Sequence, residues 1–200
     1  MSDARERGLD AFLLLIGEKG YGAVTLREVA QRAGLGFAEL YALFPDKASL
    51  VSSFMARVDA EVMAGTSSAT DPEETARDRL FDVMMRRYDA LKPYRAALRA
   101  VRQAMMGDPL LALGLGAAVR RSMVCMLEAA SLAADGLRGA ARQTGLMAIH
   151  YAVLGAFDRD DTVDLSKTMA ALDRRLKTAE KWAEALEKYG KNLPAPRPTA

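Results

Sequence analysis

Residues 25–47 read TLREVAQRAGLGFAELYALFPDK, and two short helical patterns meet there at a glycine turn. Thr25 offers its hydroxyl to an orphan backbone N–H, and Glu28, three residues on, completes a capping box. Behind that cap Leu26, Val29 and Ala30 recur at helical spacing. Gly34 is placed to end the helix, because the left-handed conformation just past a helix end suits a residue without Cβ. The pattern resumes over residues 37–44 through Leu40, Tyr41 and Phe44, and Pro45 stops it. Two helices of about eight residues on so short a turn form a helix-turn-helix, whose second helix can enter a DNA major groove.

Working outward, the spacing predicts a first helix over about 4–19, with Leu9, Phe12, Leu13 and Ile16 on one face and Gly20 and Gly22 at its end. A fourth helix from 46 or 47 to about 63 carries Leu50, Phe54 and Val58 on one stripe and links the first three to the body. The polar stretch 65–71 reads as a loop. Asp71-Pro72 reads as a helix start, so the fifth helix is expected over 72–91, with Lys92-Pro93 breaking it. A sixth helix runs to about 106 and Gly107-Asp108-Pro109 repeats the stop and start. A seventh reaches about 134, an eighth spans 137–157, and a ninth begins near Thr162 and extends to about 189. Leu165, Met169, Leu172 and Leu176 on the ninth form a seam for another helix. The expected fold is all-α with about nine helices. It comprises a three-helix helix-turn-helix domain over 1–47, a helical effector-binding and dimerisation domain over 48–190, and a disordered, Pro-rich tail over 191–200.

Composition narrows the function classes. Half of the 200 residues are apolar and only 6% are aromatic, which favours helix over sheet. The net charge of +2 does not by itself imply nucleic acid. No apolar run is read as approaching the roughly 20 residues of a membrane span, and the apolar centre of residues 11–16 reads as a helix, not a signal peptide. Cys125 has no second cysteine to pair with, which agrees with a reducing cytoplasm. One His and one Cys on separate helices, with no Gly-rich phosphate loop and no metal spacing, point away from catalysis, metals and cofactors. The acidic run Asp158, Asp160, Asp161 and Asp164 lacks the Gly and Glu of an EF-hand loop and reads as helix capping.

Thr25-Leu26-Arg27-Glu28-Val29-Ala30, then Ala33-Gly34-Leu35, Leu40-Tyr41 and Phe44-Pro45-x-Lys47 resemble the N-terminal domain of TetR-family transcription regulators. The resemblance covers roughly the first quarter of the chain. It implies DNA contact through Gly36, Phe37, Ala38, Glu39, Tyr41, Ala42 and Leu43, with Thr25, Arg27 and Lys47 on the DNA backbone. This chain departs from the family in having Gly36 where Ser or Thr is usual, and Phe37, Glu39, Ala42 and Leu43 where basic residues or His are common. Residues 1–57 hold seven bases and seven acids, a weak electrostatic footprint. Glu39 can accept from cytosine N4 and Phe37 can pack on thymine methyls, so specific binding is chemically open, weak and salt-sensitive. The other reading is a scaffold that keeps its core and has lost DNA affinity.

The same resemblance implies an apolar effector site among the middle helices. Met84, Met85, Tyr88, Met105, Met123, Met126 and Met147 are the candidate lining, with His150 and Tyr151 as polar groups. Plain core packing explains the methionines equally well, and a lone histidine is more often a satisfied core residue than a ligand. It also implies a homodimer through the last two helices, where Gly145, Ala148, Ala152 and Gly155 allow close approach. A second resemblance rests on Asp78-Arg79-Leu80-Phe81-Asp82-Val83, Met85-x-Arg87-Tyr88-Asp89, Asp164-Leu165 and Thr168-Met169-Ala170-x-Leu172-Asp173. These segments are similar to a subgroup of TetR-fold proteins that also resembles the lipid-binding accessory protein of ubiquinone biosynthesis, which has the TetR fold but no regulator role. That subgroup usually has Trp before the acidic loop, where this chain has Phe157. The two functional readings are therefore a repressor released by a small apolar effector, or a lipid- or isoprenoid-binding protein without DNA regulation.

Overall fold

The computed structural model describes residues 3–66 and 73–190, without the side chains of residues 184 and 186–190. The expected tail, residues 191–200, and the Asp71-Pro72 helix start lie outside the described residues. Among these there are nine α-helices and no strand: α1 Asp3–Lys19, α2 Leu26–Ala33, α3 Phe37–Leu43, α4 Lys47–Ala64, α5 Ala76–Leu91, α6 Arg95–Gly107, α7 Pro109–Ala129, α8 Gly136–Phe157 and α9 Ser166–Gly190. The all-α expectation holds.

Local chemistry sets the boundaries. Thr25 accepts from the Glu28 N–H and the Glu28 carboxylate accepts from the Thr25 N–H, so the capping box of α2 is complete. Gly34 takes φ 64°, with Leu35 N–H reaching the Ala30 carbonyl and Gly34 N–H the Gln31 carbonyl, which is a Schellman close. Asp46 caps α4 through the Ser49 N–H, and Asp108 caps α7 through the Leu110 and Leu111 N–H groups, with Pro109 opening the helix. Lys92–Tyr94 form a 3-10 turn between α5 and α6.

Three boundaries differ from expectation. The α5 helix begins at Ala76, not residue 72, because the Thr75 hydroxyl accepts from the Asp78 N–H and makes Thr75 the cap. The α7 helix stops at Ala129, not near 134: Ser131 takes φ 57° and the Leu132 N–H bonds the Leu127 carbonyl in a second Schellman close. The α9 helix starts at Ser166, not near Thr162, because the buried Asp160 carboxylate gathers four donors. These are the backbone and hydroxyl groups of Thr162 and of Thr168. Burial alone would raise the Asp160 pKa, yet these bonds outweigh it and hold the carboxyl below the ordinary range. Asp161 pairs with Lys167 and Asp164 accepts from the Ser166 N–H, so the acidic run does cap a helix.

One expectation about apolar runs is corrected. Pro109–Ala129 is 21 residues long, with a mean hydropathy of 1.6 over its most apolar window, enough to cross a membrane by length and composition. It packs against α4, α6 and α8, with Leu115, Val119, Met123, Met126 and Leu127 buried, and its second half carries Arg120, Arg121 and Glu128. It therefore serves as a bundle helix in this fold.

The helix that organises the rest is α1, which packs on α2, α3 and α4 and also on α6. Leu9, Phe12, Leu13, Leu15 and Ile16 are all buried, so its apolar surface exceeds a single stripe. Glycines permit the close approach. A Cβ at Gly8 would meet Leu40 at 2.9 Å, and one at Gly17 would meet the Ala96 Cβ at 3.3 Å. Gly17→Leu is expected to force α1 from α6 and to cost about 1–3 kcal/mol of stability, read from urea unfolding. Gly17→Leu as stable as the parent would show that α1 and α6 are not tightly docked.

Candidate nucleic-acid interface

The exposed face of the helix-turn-helix gathers Thr25 and Arg27 from the start of α2 with Gly36, Phe37, Ala38, Glu39, Tyr41 and Ala42 from α3. Leu40 is fully buried and Phe44 beyond it is too, so the helix is pinned from beneath while its outer side stays in solvent. Phe37 and Tyr41, one turn apart, remain 40% and 54% exposed, with ring centroids 6.1 Å apart. The Arg27 guanidinium lies 4.8 Å from the Phe37 ring centroid, a cation–π contact that joins α2 to α3 across the turn. Leu43 is half-buried against the core. The α3 cap Gly36 has no side chain to occupy the first N–H groups of the helix, which leaves them for solvent or an anion.

Charges around this face are largely satisfied within the module. Arg7 pairs with Asp3, Lys19 with Glu28, Arg32 with Glu18, and Arg57 with both Glu6 and Asp10. Arg5 donates to Ser53 and lies over the Phe44 ring. Lys47 donates to the Tyr21 carbonyl at 2.7 Å and sits 4.5 Å from the Tyr21 ring centroid, and burial pushes its ammonium pKa down. The Glu28 carboxyl is held down at about 2, first by the Thr25 backbone N–H and then by Lys19 and the Thr25 hydroxyl. Four of the seven bases in residues 1–57 thus pair with carboxylates: Arg7, Lys19, Arg32 and Arg57. Of the bases nearest α3, Arg27 contacts a ring instead of a carboxylate.

The candidate effector residues fall into three groups. Met84, Met85, Tyr88, Met123, Met126 and His150 are buried together in the core. Met105 and Met147 are half-buried at its edge. Tyr151 departs from expectation: it is 41% exposed on the outer side of α8, since consecutive helix residues point about 100° apart and His150 takes the inward position. His150 Nδ1 and the Tyr88 hydroxyl share a 3.1 Å hydrogen bond, and Phe157 packs on Tyr88 with centroids 5.3 Å apart. Phe157 fills the space before the acidic loop.

Sequence reasoning missed the neighbouring polar network. Arg87 is fully buried and donates to Asp59 at 2.5 Å, and Ser122 donates to the same carboxylate oxygen. This ties α4 to α5 and α7 inside the body. It was hidden because Asp59, Arg87 and Ser122 sit on separate helices with no local motif. Also unforeseen is an open cleft of about 640 Å³, lined by residues that include Gly20, Tyr21, Lys47, Ala104 and Asp108. None of the expected effector residues lines it.

Burial, then the charge of Arg87, pushes the His150 pKa from 6.5 down to about 3. The unfolded chain takes up a proton near 6.5 while the native protein waits until about 3. The stabilisation is complete above 6.5 and is lost as pH falls between those values, at up to about 1.4 kcal/mol per pH unit. Urea unfolding should therefore weaken from pH 6.5 to pH 5 in the parent, with a flatter profile in His150→Gln. Parallel profiles would contradict the assignment.

Residues 9–54 match the family model described as bacterial regulatory proteins, tetR family. The HTH-type transcriptional repressor KstR of Rhodococcus jostii is 46% identical over 55 residues, covering 28% of this chain and 26% of that protein. KstR of Mycolicibacterium smegmatis is 37% identical over 78 residues, covering 39% of this chain and 38% of that protein. The chain thus matches well under two thirds of the length of these relatives. A TetR transcriptional regulator from Nitrosomonas europaea superposes with a TM-score of 0.71 over 88% of this chain and 98% of that one, at 22% identity. A second TetR regulator, from Rhodococcus sp. RHA1, gives 0.63 over 88% and 94%, at 23% identity. The N-terminal helices therefore match the tetR family model, and the chain has the fold of these solved TetR regulators.

Proposed function

We propose that this protein is a cytoplasmic TetR-type transcriptional regulator that represses by binding operator DNA with α3. The observation that carries the reading is the capped α2–turn–α3 unit, which leaves Thr25, Arg27, Phe37, Glu39 and Tyr41 on one exposed face. Its match to a family described as bacterial regulatory proteins, and its KstR relatives, which are named as repressors, support the same reading. In the complex, Phe37 packs on thymine methyls, Glu39 accepts from cytosine N4, and helix N–H groups with Arg27 and Lys47 meet phosphates.

Two copies of α3 are needed for a palindromic site, so the working species is a two-fold dimer. The outer side of α8 supplies the contact: Thr144, Gly145, Ala148, Tyr151 and Ala152 are exposed along it. The α9 seam contributes less than expected, because Leu165, Leu172 and Leu176 are buried in their own subunit and Met169 alone is 40% exposed. An apolar effector entering the Met84–Met123–Met126–His150 region would displace the core beside Asp59 and Arg87, and so shift α4 and release DNA.

The second reading, a lipid- or isoprenoid-binding protein with lost DNA affinity, is favoured by the paired charges of the N-terminal helices. Gel retardation at low salt with fragments selected from the source genome separates the two. The repressor reading expects a retarded fragment, with Tyr41→Ala weakening it by about tenfold or more, equivalent to roughly 1.4 kcal/mol. No retarded fragment, together with a lipid in the mass spectrum of the purified protein, would support the alternative. For assembly, light scattering should give twice the chain mass for the parent and the monomer mass for Ala148→Glu. A monomeric parent would overturn the dimer.

A further inference from the structure

The open cleft of about 640 Å³ lies where the α1–α2 turn and the start of α4 face the end of α6 and the start of α7. Its size is that of a small-molecule site. Small residues leave the space: Gly20 and Gly22 on one wall, Ala100, Ala104 and Gly107 on the other. Leu111 and the Tyr21 ring add apolar surface.

Two opposite charges face this space. Lys47 contributes an ammonium with three N–H donors, of which the structure uses one, on the Tyr21 carbonyl. Asp108 contributes a carboxylate whose Oδ1 accepts the Leu110 and Leu111 N–H groups, and among the described residues its Oδ2 takes no bond. Gln103, exposed on α6, adds an amide that can donate and accept. The charge of Asp108 reaches into the cleft: after burial and Asp46, it raises the Tyr21 hydroxyl pKa.

We propose that this cleft binds a small zwitterion with an apolar body, of the amino-acid or short-peptide class. Its carboxylate sits on Lys47, its ammonium on Asp108, and its side chains on Ala100, Ala104 and Leu111. The lining carries one cation and one anion, so a dianion such as phosphate would meet Lys47 beside the repelling carboxylate of Asp108. A purely apolar ligand would leave both charges desolvated and unpaired. The site is separate from the Tyr88–His150 core, and it shares Lys47 with the proposed DNA contact, so a bound zwitterion and a DNA phosphate would compete for that ammonium.

Calorimetric titration of the full chain with leucyl-leucine, N-acetyl-leucyl-leucine and leucyl-leucinamide tests this. The free dipeptide is expected to bind at one site, about fivefold or more tighter than either blocked form. Lys47→Met should reduce its affinity to that of the amide. Asp108→Asn, which retains a helix-capping side chain, should reduce it to that of the acetylated form. Methyl resonances of Ala104 and Leu111 should shift on titration while those of Met126 and Val153 do not, which locates the site without any variant. Absence of binding at millimolar dipeptide, equal affinity for all three compounds, or shifts confined to Met126 and Val153 would each overturn the proposal.

Discussion

The α1 helix has to satisfy two neighbours at once, and the placement of α3 follows from that. Its buried residues Leu9, Phe12 and Ile16 form core shared by the helix-turn-helix and by α6. Gly8 admits Leu40 of α3 and Phe44 just past its end, and Gly17 admits Ala96 from α6. A helix held on both sides transmits displacement, because close-packed interiors repack in steps instead of deforming smoothly. On the proposed reading, α1 and α4 are the helices through which a change in the body would reach α3.

Buried polar groups fix the rest of the arrangement. Asp59 anchors α4 to Arg87 and Ser122, and removing one partner of such a pair typically costs about 3–5 kcal/mol. Asp160 fastens the α8–α9 connection to the first turn of α9, while the Arg99 and Arg95 side chains from α6 donate to the Asp158 and Asp160 carbonyls. The body is thus specified by directional contacts as well as by area, and its register relative to the N-terminal helices is set.

Much of this was legible in the sequence where the signal is local. Thr25, Glu28 and Gly34 each announce a helix end through their own chemistry, and Asp108-Pro109 does the same. Boundaries failed where a distant or less obvious group won, as with Asp160 reaching Thr168, Thr75 capping α5 later than expected, and Ser131 adopting a conformation expected of glycine. The exposed outer side of α3 was legible in the helical pattern, and the pairing of the charges near it was not. Counting charges gives balance, whereas only the fold shows that Lys19, Arg32 and Arg57 are engaged by Glu28, Glu18 and Asp10. The cleft was invisible, since Tyr21, Lys47 and Asp108 are brought together by α1–α6 packing and share no motif.

The paired charges change what DNA binding by this protein should look like. The sequence suggests weak and strongly salt-sensitive binding; on the proposed reading Arg27 and Lys47, which pair with no carboxylate among the described residues, would be the principal phosphate cations of each subunit, which lowers the number of counterions released. Recognition then leans on Phe37, Tyr41, Glu39 and helix N–H groups. The most direct measurement is the dependence of operator affinity on salt concentration. About four phosphate contacts per dimer predict a log–log slope of about −2 to −4. A slope of about −8 or steeper would contradict the account, because it would require many cations that this fold holds against its own carboxylates.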